Sequence, residues 1–484
     1  MTKPHYPKIA QLKTVDVFRQ RLSQLGCDLR VDDEILSAAA GSPMAAPLDV
    51  GGFRVGNRWC IHPMEGWDAQ NDGSPSAHTL RRWRHFGQSG AKLIWGGEAA
   101  AVERDGRANP NQTLAMKENR QGLAALLGEL KRAHLEKFGT TDDLLVGLQL
   151  THSGRFSRPN SKRLEPRIAY HHPLLDRKFD IDPQDPAIVL NDADLERLID
   201  RYVAAAGVAA ELGFQFVDIK ACHGYLMHEL LSGFDRPGSY GGDYQGRTRV
   251  LKTIVRRVLE RYPGLMVGVR LSVFDTLPYE KGNGVGRPMP YENLLPYRFG
   301  FGLNVDDPLE MDLDEAIRLG RELHELGVSV LNVSCGSPYY NPHIQRPAIF
   351  PPSDGYQPPE DPLVGVCRQI HATRRMKESL DGLPVVGSGY SYLQDYLPQV
   401  AQAVVRDGWT DFVGLGRMVL SYPEMPDDTL AGRTMARKRI CRTFSDCTTA
   451  PRGGLVSGCY PLDDYYKALP EAQTLRALKK PSNP

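Results

Sequence analysis

Short apolar runs alternate with longer amphipathic stretches along most of the chain. The runs lie at residues 59–64, 92–97, 144–150, 216–221, 265–271, 328–334, 383–389 and 411–416. Most are apolar on both faces rather than alternating, which is typical of parallel strands covered on both sides of a sheet. The pattern therefore predicts an α/β protein.

The stretches between the runs have the length and periodicity of helices. They cover residues 119–138, 194–212, 247–262, 313–326, 364–380 and 391–407. Asp194 and Ser391 lie at expected N-cap positions, and Gly213, Gly327 and Gly408 follow their helices as expected C-cap glycines. Eight strand–helix units predict a (β/α)8 TIM barrel. An open doubly wound sheet is the alternative, but the first unit lacks the glycine-rich dinucleotide motif of that fold.

The predicted barrel spans residues 46–430. Residues 1–45 precede it as an N-terminal extension, and residues 431–484 follow it as a tail. Long connections follow the third, fifth and sixth strands, at 155–192, 272–311 and 335–362. Connections after barrel strands all emerge on one face, so we expect these three to surround the active-site mouth.

Composition excludes several classes of function. The formal net charge is +1, which predicts neither a nucleic-acid partner nor an anionic membrane surface. No apolar run is long enough to span a membrane, and the N-terminus lacks the apolar segment of a secretory signal. Eight cysteines scattered through 484 residues are not a disulfide framework, so we expect a cytoplasmic location.

The glycine-rich turns after the last two strands have the chemistry of a phosphate site, with bare backbone N–H groups, a hydroxyl and a guanidinium. The residues are Gly387, Ser388, Gly389, Gly416 and Arg417. The same glycines also suit helix-entry turns, and the arginine a salt bridge. At earlier strand ends we expect Glu98 to be a buried hydrogen-bonded group and His152 to be structural.

Other strand ends carry groups with more varied chemistry. Gln149 offers an amide donor and acceptor, which suits the edge of a heterocycle, and Arg270 offers a fixed positive charge. Lys220, His223 and Tyr225 follow the fourth strand within a few residues of one another. So many polar groups at the ends of predicted strands indicate one site at the mouth of the barrel.

The segment "CHGYLMHELLSGFDRPGSYGGDYQGRTR" closely resembles a signature of the old yellow enzyme family of FMN-dependent NAD(P)H:flavin oxidoreductases. Supporting matches follow in order along the chain. They are "FRVGNRWCIHPM", "GGEAAAVERDGR", "LQLTHSGR", "GVRLS", "NVSCG", "PVVGSG" and "VGLGR". The resemblance covers about residues 45–425 and is nearest to the barrel part of the 2,4-dienoyl-CoA reductase branch.

The resemblance implies a barrel that binds FMN at its mouth. NADH or NADPH would give a hydride to flavin N5, and the reduced flavin would give it to the β-carbon of a small-molecule alkene, an α,β-unsaturated carbonyl compound or thioester. Tyr225 matches the proton donor of the family, since a phenol with a pKa of ~10 stays protonated at neutral pH. The cofactor contacts implied by the match are Pro63, Met64, Ala99, Gln149, Arg270, Ser334, Gly387, Ser388, Gly389, Gly416 and Arg417.

The chain departs from the family pattern beside the expected substrate. Where typical members have a pair of residues that grip a carbonyl or nitro oxygen, this chain has Lys220 and His223. Glu65 follows Pro-Met, where Cys, Thr or His is usual, and we expect it to pair with Lys220. A loop histidine assists the tyrosine in the dienoyl-CoA reductase branch, and His343 lies near that position.

The tail resembles the iron–sulfur segment of the same branch, with one cysteine missing. Cys441, Cys447 and Cys459 remain, whereas a [4Fe–4S] cluster normally needs four ligands. The segment is either a three-cysteine cluster site or, the favoured interpretation, a vestigial packed set. We expect electrons to come directly from a nicotinamide at the barrel mouth.

Two other functions stay open at this point. A lyase or aldolase would use Lys220 as a Schiff-base nucleophile and bind a substrate phosphate at the glycine turns. A degenerate flavoprotein would bind FMN without catalysis. The family includes dimers and tetramers, so a homo-oligomer is also open.

Overall fold

The eight predicted strands form a closed parallel barrel in the computed structural model, which describes residues 6–479. Residues 1–5 of the predicted extension and 480–484 of the predicted tail lie outside this range. The strands are β1 (Leu48–Val50), β2 (Phe53–Val55), β3 (Trp59–Ile61), β4 (Leu93–Ile94), β5 (Ala99–Ala101), β6 (Leu145–Thr151), β7 (Phe216–Ala221), β8 (Met266–Ser272), β9 (Tyr279–Lys281), β10 (Gly286–Pro288), β11 (Val330–Ser334), β12 (Val385–Gly387) and β13 (Phe412–Leu415). The barrel order is β3-β4-β6-β7-β8-β11-β12-β13, and β13 pairs with β3 to close it. The TIM-barrel prediction is confirmed.

The second barrel strand is built in two pieces. Both β4 and β5 pair with β6, and residues 95–98 interrupt the pairing between them. Gly96 and Gly97 have φ values of 142° and 52°, which few other residues adopt. A side chain on Gly97 would collide with the Trp83 ring. The interruption sets Ala99 opposite Gln149 at the mouth.

Helices cover the outside of the barrel. They are α1 (Val15–Gln24), α2 (Ala77–Gly87), α3 (Arg120–Phe138), α4 (Pro173–Phe179), α5 (Asp192–Leu212), α6 (Leu226–Leu231), α7 (Tyr244–Arg261), α8 (Asp314–Glu325), α9 (Pro342–Gln345), α10 (Pro362–Ser379), α11 (Leu397–Arg406), α12 (Met418–Ser421), α13 (Met425–Leu430), α14 (Asp446–Arg452), α15 (Asp464–Lys467) and α16 (Glu471–Leu478). The six predicted helices are present, but the sequence pattern did not identify α2 after the first barrel strand.

Two predicted N-caps are wrong. Helix α5 begins earlier than expected, because the Asn191 side chain accepts from the Asp194 backbone N–H and Asp194 reciprocates as the third helical residue. Ser391 lies inside a 3₁₀ segment, Tyr390–Tyr396, that precedes α11. The expected C-terminal glycines Gly213, Gly327 and Gly408 all have positive φ.

An antiparallel hairpin closes the lower end of the barrel. Strands β1 and β2 pair with Val50 opposite Phe53. Val50 and Val55 are fully buried in a cluster with barrel residues that include Trp95 and Phe216. The hairpin therefore seals the end opposite the predicted site, and the larger core lies between the barrel and its helices.

The three long connections contain short elements of their own. Helix α4 lies in the first, the hairpin β9–β10 in the second and α9 in the third. Within residues 6–479, no helix is both long and apolar enough to cross a membrane.

We expect Gly147→Ala in β6 to lower the free energy of unfolding by about 2 kcal/mol, because the added methyl would overlap the Phe216 ring inside the barrel. Gly128→Ala in α3 is the matched control. Its added methyl meets open space, so helix propensity should raise stability by about 0.5–1 kcal/mol. Urea denaturation of both variants tests this, and equal effects would contradict it.

Candidate active site

A cavity of about 230 Å³ lies at the carboxyl ends of the barrel strands. The predicted site residues that line it are Pro63, Met64, Glu65, Gln149, Lys220, His223, Arg270, Ser334, Ser388, Gly389, Gly416 and Arg417. Tyr225, His343, Ala99 and Gly387 are not part of its lining. The structure thus brings most of the predicted set, taken from seven strand ends, to one place.

A buried carboxylate supports the floor of the cavity. Asp218 in β7 accepts hydrogen bonds from Trp95 Nε1 at 2.7 Å, Gln149 Nε2 at 2.6 Å and the Arg270 backbone N–H at 2.7 Å. Burial raises its pKa to about 6. Because the Gln149 nitrogen is committed to Asp218, its carboxamide oxygen is left to accept from a ligand. Sequence reasoning missed this residue, although a carboxylate inside an apolar strand was a signal.

A second missed residue, His62, supports the glycine-rich turn. Its Nε2 lies 3.1 Å from Ser388 Oγ, and its Nδ1 lies 3.2 Å from Asn332 Nδ2. Burial and the nearby Arg270 charge hold its pKa well below the usual value, so the imidazole is neutral. The next turn residue, Gly389, has a φ of 96°.

The guanidinium groups of Arg346 and Arg417 line the cavity, and neither forms an ion pair with a carboxylate in the described part of the chain. Arg417 donates to the Pro347 carbonyl at 2.8 Å, and Arg346 donates to Thr448 Oγ1. Arg417 Nη1 and Arg346 Nη2 are buried and lack a partner within residues 6–479. Burial and the Arg417 charge lower the Arg346 pKa to about 9. Gly416 lines the same cavity, where an added Cβ would meet Met64 Sδ at 3.5 Å. No sequence pattern marked Arg346 as a site residue, because it lies in a long connection and not at a strand end.

Glu65, elsewhere in the lining, is the centre of a polar cluster. Its carboxylate accepts from Lys220 Nζ at 3.2 Å, so the expected ion pair is present. It also accepts from Trp67 Nε1 at 2.6 Å and from the Tyr225 hydroxyl at 3.3 Å. The Tyr225 hydroxyl contacts the Tyr339 hydroxyl at 3.0 Å as well. Tyr225 is therefore connected to the cavity by the hydrogen bond from its hydroxyl to Glu65, which lines the cavity.

The turn that carries His223 is strained. His223 has a φ of 67°, in the left-handed region that non-glycine residues rarely adopt. Its Nε2 lies 2.8 Å from Ser334 Oγ and 3.3 Å from Gln345 Nε2. Burial, with the charges of Arg270 and Lys220, holds its pKa well below the usual value. His223 is thus a neutral group whose ring nitrogen is already paired.

The remaining predicted residues have contacts outside the cavity. His343 Nδ1 pairs with the Tyr356 hydroxyl at 2.6 Å, so it does not contact the Tyr225 hydroxyl. Gly387 packs against Tyr390, where a side chain would collide with the hydroxyl. The Ala99 carbonyl oxygen accepts a hydrogen bond from Gln112 Nε2 at 2.8 Å.

The two residues expected to be structural are buried, and each has a hydrogen-bonding or ion-pair partner. Glu98 pairs with Arg82, and burial raises its pKa to about 7. His152 Nε2 lies 3.2 Å from Glu103 Oε1, and its Nδ1 accepts from the Gly154 N–H. Neither lines the cavity.

The tail covers the arginine end of the cavity. Its contribution to the lining is Cys447, Thr448, Ser457, Gly458 and Tyr466. Cys441, Cys447 and Cys459 surround a smaller void of about 20 Å³ beside Arg417. Within residues 6–479, no group of three or more His, Cys, Asp or Glu side chains is arranged to hold a metal ion. The three cysteines thus lie around one void, and whether they hold an iron–sulfur cluster or pack as a vestigial set stays a prediction.

Comparisons with known proteins place the chain among flavin enzymes. A sequence model of the NADH:flavin oxidoreductase / NADH oxidase family matches residues 43–285. The NADPH dehydrogenase of Geobacillus sp. (strain WCH70) is 26% identical over 391 residues, which are 79% of this chain and 92% of that protein.

Two solved structures share the fold. A 2-naphthoyl-CoA reductase complex superposes with a TM-score of 0.63 at 16% identity, covering 91% of this chain and 58% of that one. The old yellow enzyme homologue from Zymomonas mobilis superposes with a TM-score of 0.56 at 20% identity, covering 81% of this chain and 94% of that one.

We expect Lys220→Met to lower the free energy of unfolding by about 3 kcal/mol, because it removes the cation from a shielded carboxylate. The two side chains are only 5% and 15% exposed, so water cannot replace the lost partner. The double variant Glu65→Gln/Lys220→Met should recover most of the loss. Urea denaturation measures both, and a double variant no more stable than Lys220→Met would contradict the pairing energy.

Proposed function

The chain belongs to the NADH:flavin oxidoreductase / NADH oxidase family, and we propose that it is an ene-reductase that saturates the C=C bond of an α,β-unsaturated carbonyl compound or thioester. Family membership makes it an FMN-dependent enzyme with a nicotinamide electron donor. It also removes support from the Schiff-base lyase considered for Lys220. The residue roles and the substrate class below are our proposal.

The residues at the mouth fit FMN on chemical grounds. Arg346 and Arg417 line the cavity with Gly416, and each has a buried nitrogen without a partner in residues 6–479. Such a pair suits an anion with several acceptor oxygens, such as a phosphate. Elsewhere in the lining, Arg270 Nε is buried without a partner in the described chain. A fixed charge there would stabilise negative charge on a reduced flavin ring. FMN, when bound, supplies hydride transfer between nicotinamide and substrate.

The observation that carries the proposal is the position of the Tyr225 phenol. Its hydroxyl is buried 3.3 Å from Glu65, which lines the cavity, and Lys220 Nζ lies 4.0 Å from its ring centroid. Burial and the negative charge of Glu65 raise its pKa well above that of a free phenol. Tyr225 therefore keeps its proton at neutral pH and can give it to the α-carbon when a hydride reaches the β-carbon.

Lys220 is the group best placed to hold the substrate carbonyl. An ammonium group has three donors, and Glu65 accepts one of them. His223, by contrast, already shares its ring nitrogen with Ser334 and Gln345. A cation at the carbonyl oxygen stabilises the enolate-like charge that develops as the hydride arrives.

The first test is spectroscopic. Purified protein should carry oxidised FMN, and anaerobic NADH or NADPH should bleach its absorption within the dead time of manual mixing. An unsaturated ketone or thioester should then restore the colour. Bound FMN that neither nicotinamide bleaches would instead identify a degenerate flavoprotein.

We expect Tyr225→Phe to leave bleaching by the nicotinamide unchanged, because hydride transfer to the cofactor needs no proton from this residue. Recovery of colour with the alkene should slow by about 10²–10⁴-fold. In the parent enzyme this second rate should stay level between about pH 6 and pH 9, since the raised pKa keeps the phenol protonated. Stopped-flow absorbance measures both phases, and equal slowing of the two would contradict the assigned role.

A further inference from the structure

A chain of three hydroxyl and carboxyl groups runs away from the cavity. Tyr339, in the connection after β11, lies with its hydroxyl 3.0 Å from the Tyr225 hydroxyl. Tyr225 lies 3.3 Å from each carboxylate oxygen of Glu65. Tyr225 is 3% exposed, whereas Tyr339 is half-buried. The Ser153 hydroxyl also interacts with the Tyr225 hydroxyl.

The carboxylate fixes the direction of this chain. Glu65 already accepts from Trp67 Nε1 and Lys220 Nζ, so it is surrounded by donors and can only accept from Tyr225. A phenol has one hydrogen to donate. When Tyr225 donates it to Glu65, its oxygen must accept from Tyr339. The Tyr339 O–H therefore points at Tyr225.

We propose that Tyr339 returns a proton to Tyr225 in each catalytic cycle. The inference rests on the proposed function, in which Tyr225 protonates the substrate. As the Tyr225 O–H bond breaks and a C–H bond forms at the α-carbon, the Tyr339 O–H bond breaks and the Tyr225 O–H bond re-forms. Tyr339 then takes a proton from water. The substrate gains this proton and the nicotinamide-derived hydride, so charge and electrons balance.

Glu65 cannot perform this step in place of Tyr339. It has no proton to give while two donors and Tyr225 hold it as a carboxylate. The negative charge of Glu65 instead destabilises a Tyr225 phenolate. The proton must therefore return to Tyr225 quickly. Lys220, over the Tyr225 ring, offsets part of that repulsion. The Tyr225 phenolate is therefore expected to be short-lived.

The surroundings of Tyr339 hold it in place for this role. Its ring stacks on Phe156 with centroids 4.0 Å apart and planes 9° apart. Arg452 of the tail donates to the Pro338 carbonyl at 2.9 Å and to Asp354, and its guanidinium lies 5.7 Å from the Tyr339 ring centroid. The hydroxyl can thus be removed by Tyr339→Phe without loss of the stacked ring.

The test follows colour recovery of the anaerobically reduced holoenzyme by stopped flow, with 2-cyclohexen-1-one as the alkene. We expect Tyr339→Phe to slow recovery by about 10- to 100-fold. Added imidazole should restore part of the rate, because it can deliver a proton in place of the missing hydroxyl. Recovery with ferricyanide, which takes electrons without protonation of a carbon, should be unchanged.

Two further variants sharpen the test. Tyr339→His keeps a protonatable group and should recover part of the parent rate. Tyr465→Phe removes an exposed tyrosine hydroxyl that contacts His78 at 3.0 Å, and it should match the parent in every phase. These variants separate loss of a proton donor from a general effect of removing a phenol.

Each other outcome rejects a stated part of the proposal. If Tyr339→Phe recovers its flavin colour with the alkene at the rate of the parent enzyme, the relay is wrong and the proposed function stands. Equal slowing with alkene and ferricyanide, without imidazole rescue, also overturns it, since that result describes a structural role. A reduced parent enzyme that no unsaturated ketone or thioester reoxidises overturns the proposed function itself.

Discussion

Parallel pairing in register is the constraint on which the site depends. In the barrel, Gln149 lies opposite Asp218 and Lys220 lies opposite Arg270, because β6, β7 and β8 pair side by side. A shift of one residue in β7 would turn Asp218 and Lys220 to the other face. The hairpin β1–β2 and the helices outside stabilise a closed barrel, and closure brings the ends of distant strands to one mouth. The relative positions of the polar side chains at that mouth are therefore set by the backbone hydrogen bonds between the strands.

Buried charge divides the mouth into two unlike parts. In one, Glu65 is surrounded by donors, so that a carboxylate and an ammonium group share a shielded space without net charge. Elsewhere in the lining, Arg346 and Arg417 have no carboxylate partner in the part of the chain that the structure describes, and the Arg417 charge acts on Arg346. Unpaired buried cations are costly, and a bound anion removes that cost. This arrangement suits the proposed function, with an anionic cofactor group near the arginines and a polar, uncharged reacting group near Glu65.

The tail links the two parts of the mouth. Thr448 accepts from Arg346 beside the proposed phosphate site, and Arg452 holds the connection that carries Tyr339. Ser445 donates to the Phe350 carbonyl in the same connection at 2.6 Å. The segment that resembles an iron–sulfur binding region in sequence therefore forms part of the cavity lining. Its cysteines pack beside Arg417 while its polar residues order the loop above the site.

The sequence by itself determined the barrel, because eight apolar strands alternate with amphipathic helices, three of which end at a predicted terminal glycine with positive φ. It also predicted twelve of the residues that line the cavity, since chemistry in this fold lies at strand ends, and the family signature at Cys222–Arg249 added expected roles. The tertiary structure decided the rest. Asp218, His62, Arg346 and Tyr339 act through partners far away in the chain, and no local pattern records which polar groups will share a buried space. His343 lies near the expected position in sequence but turns to Tyr356, because the packing of a loop depends on contacts that only the folded chain makes.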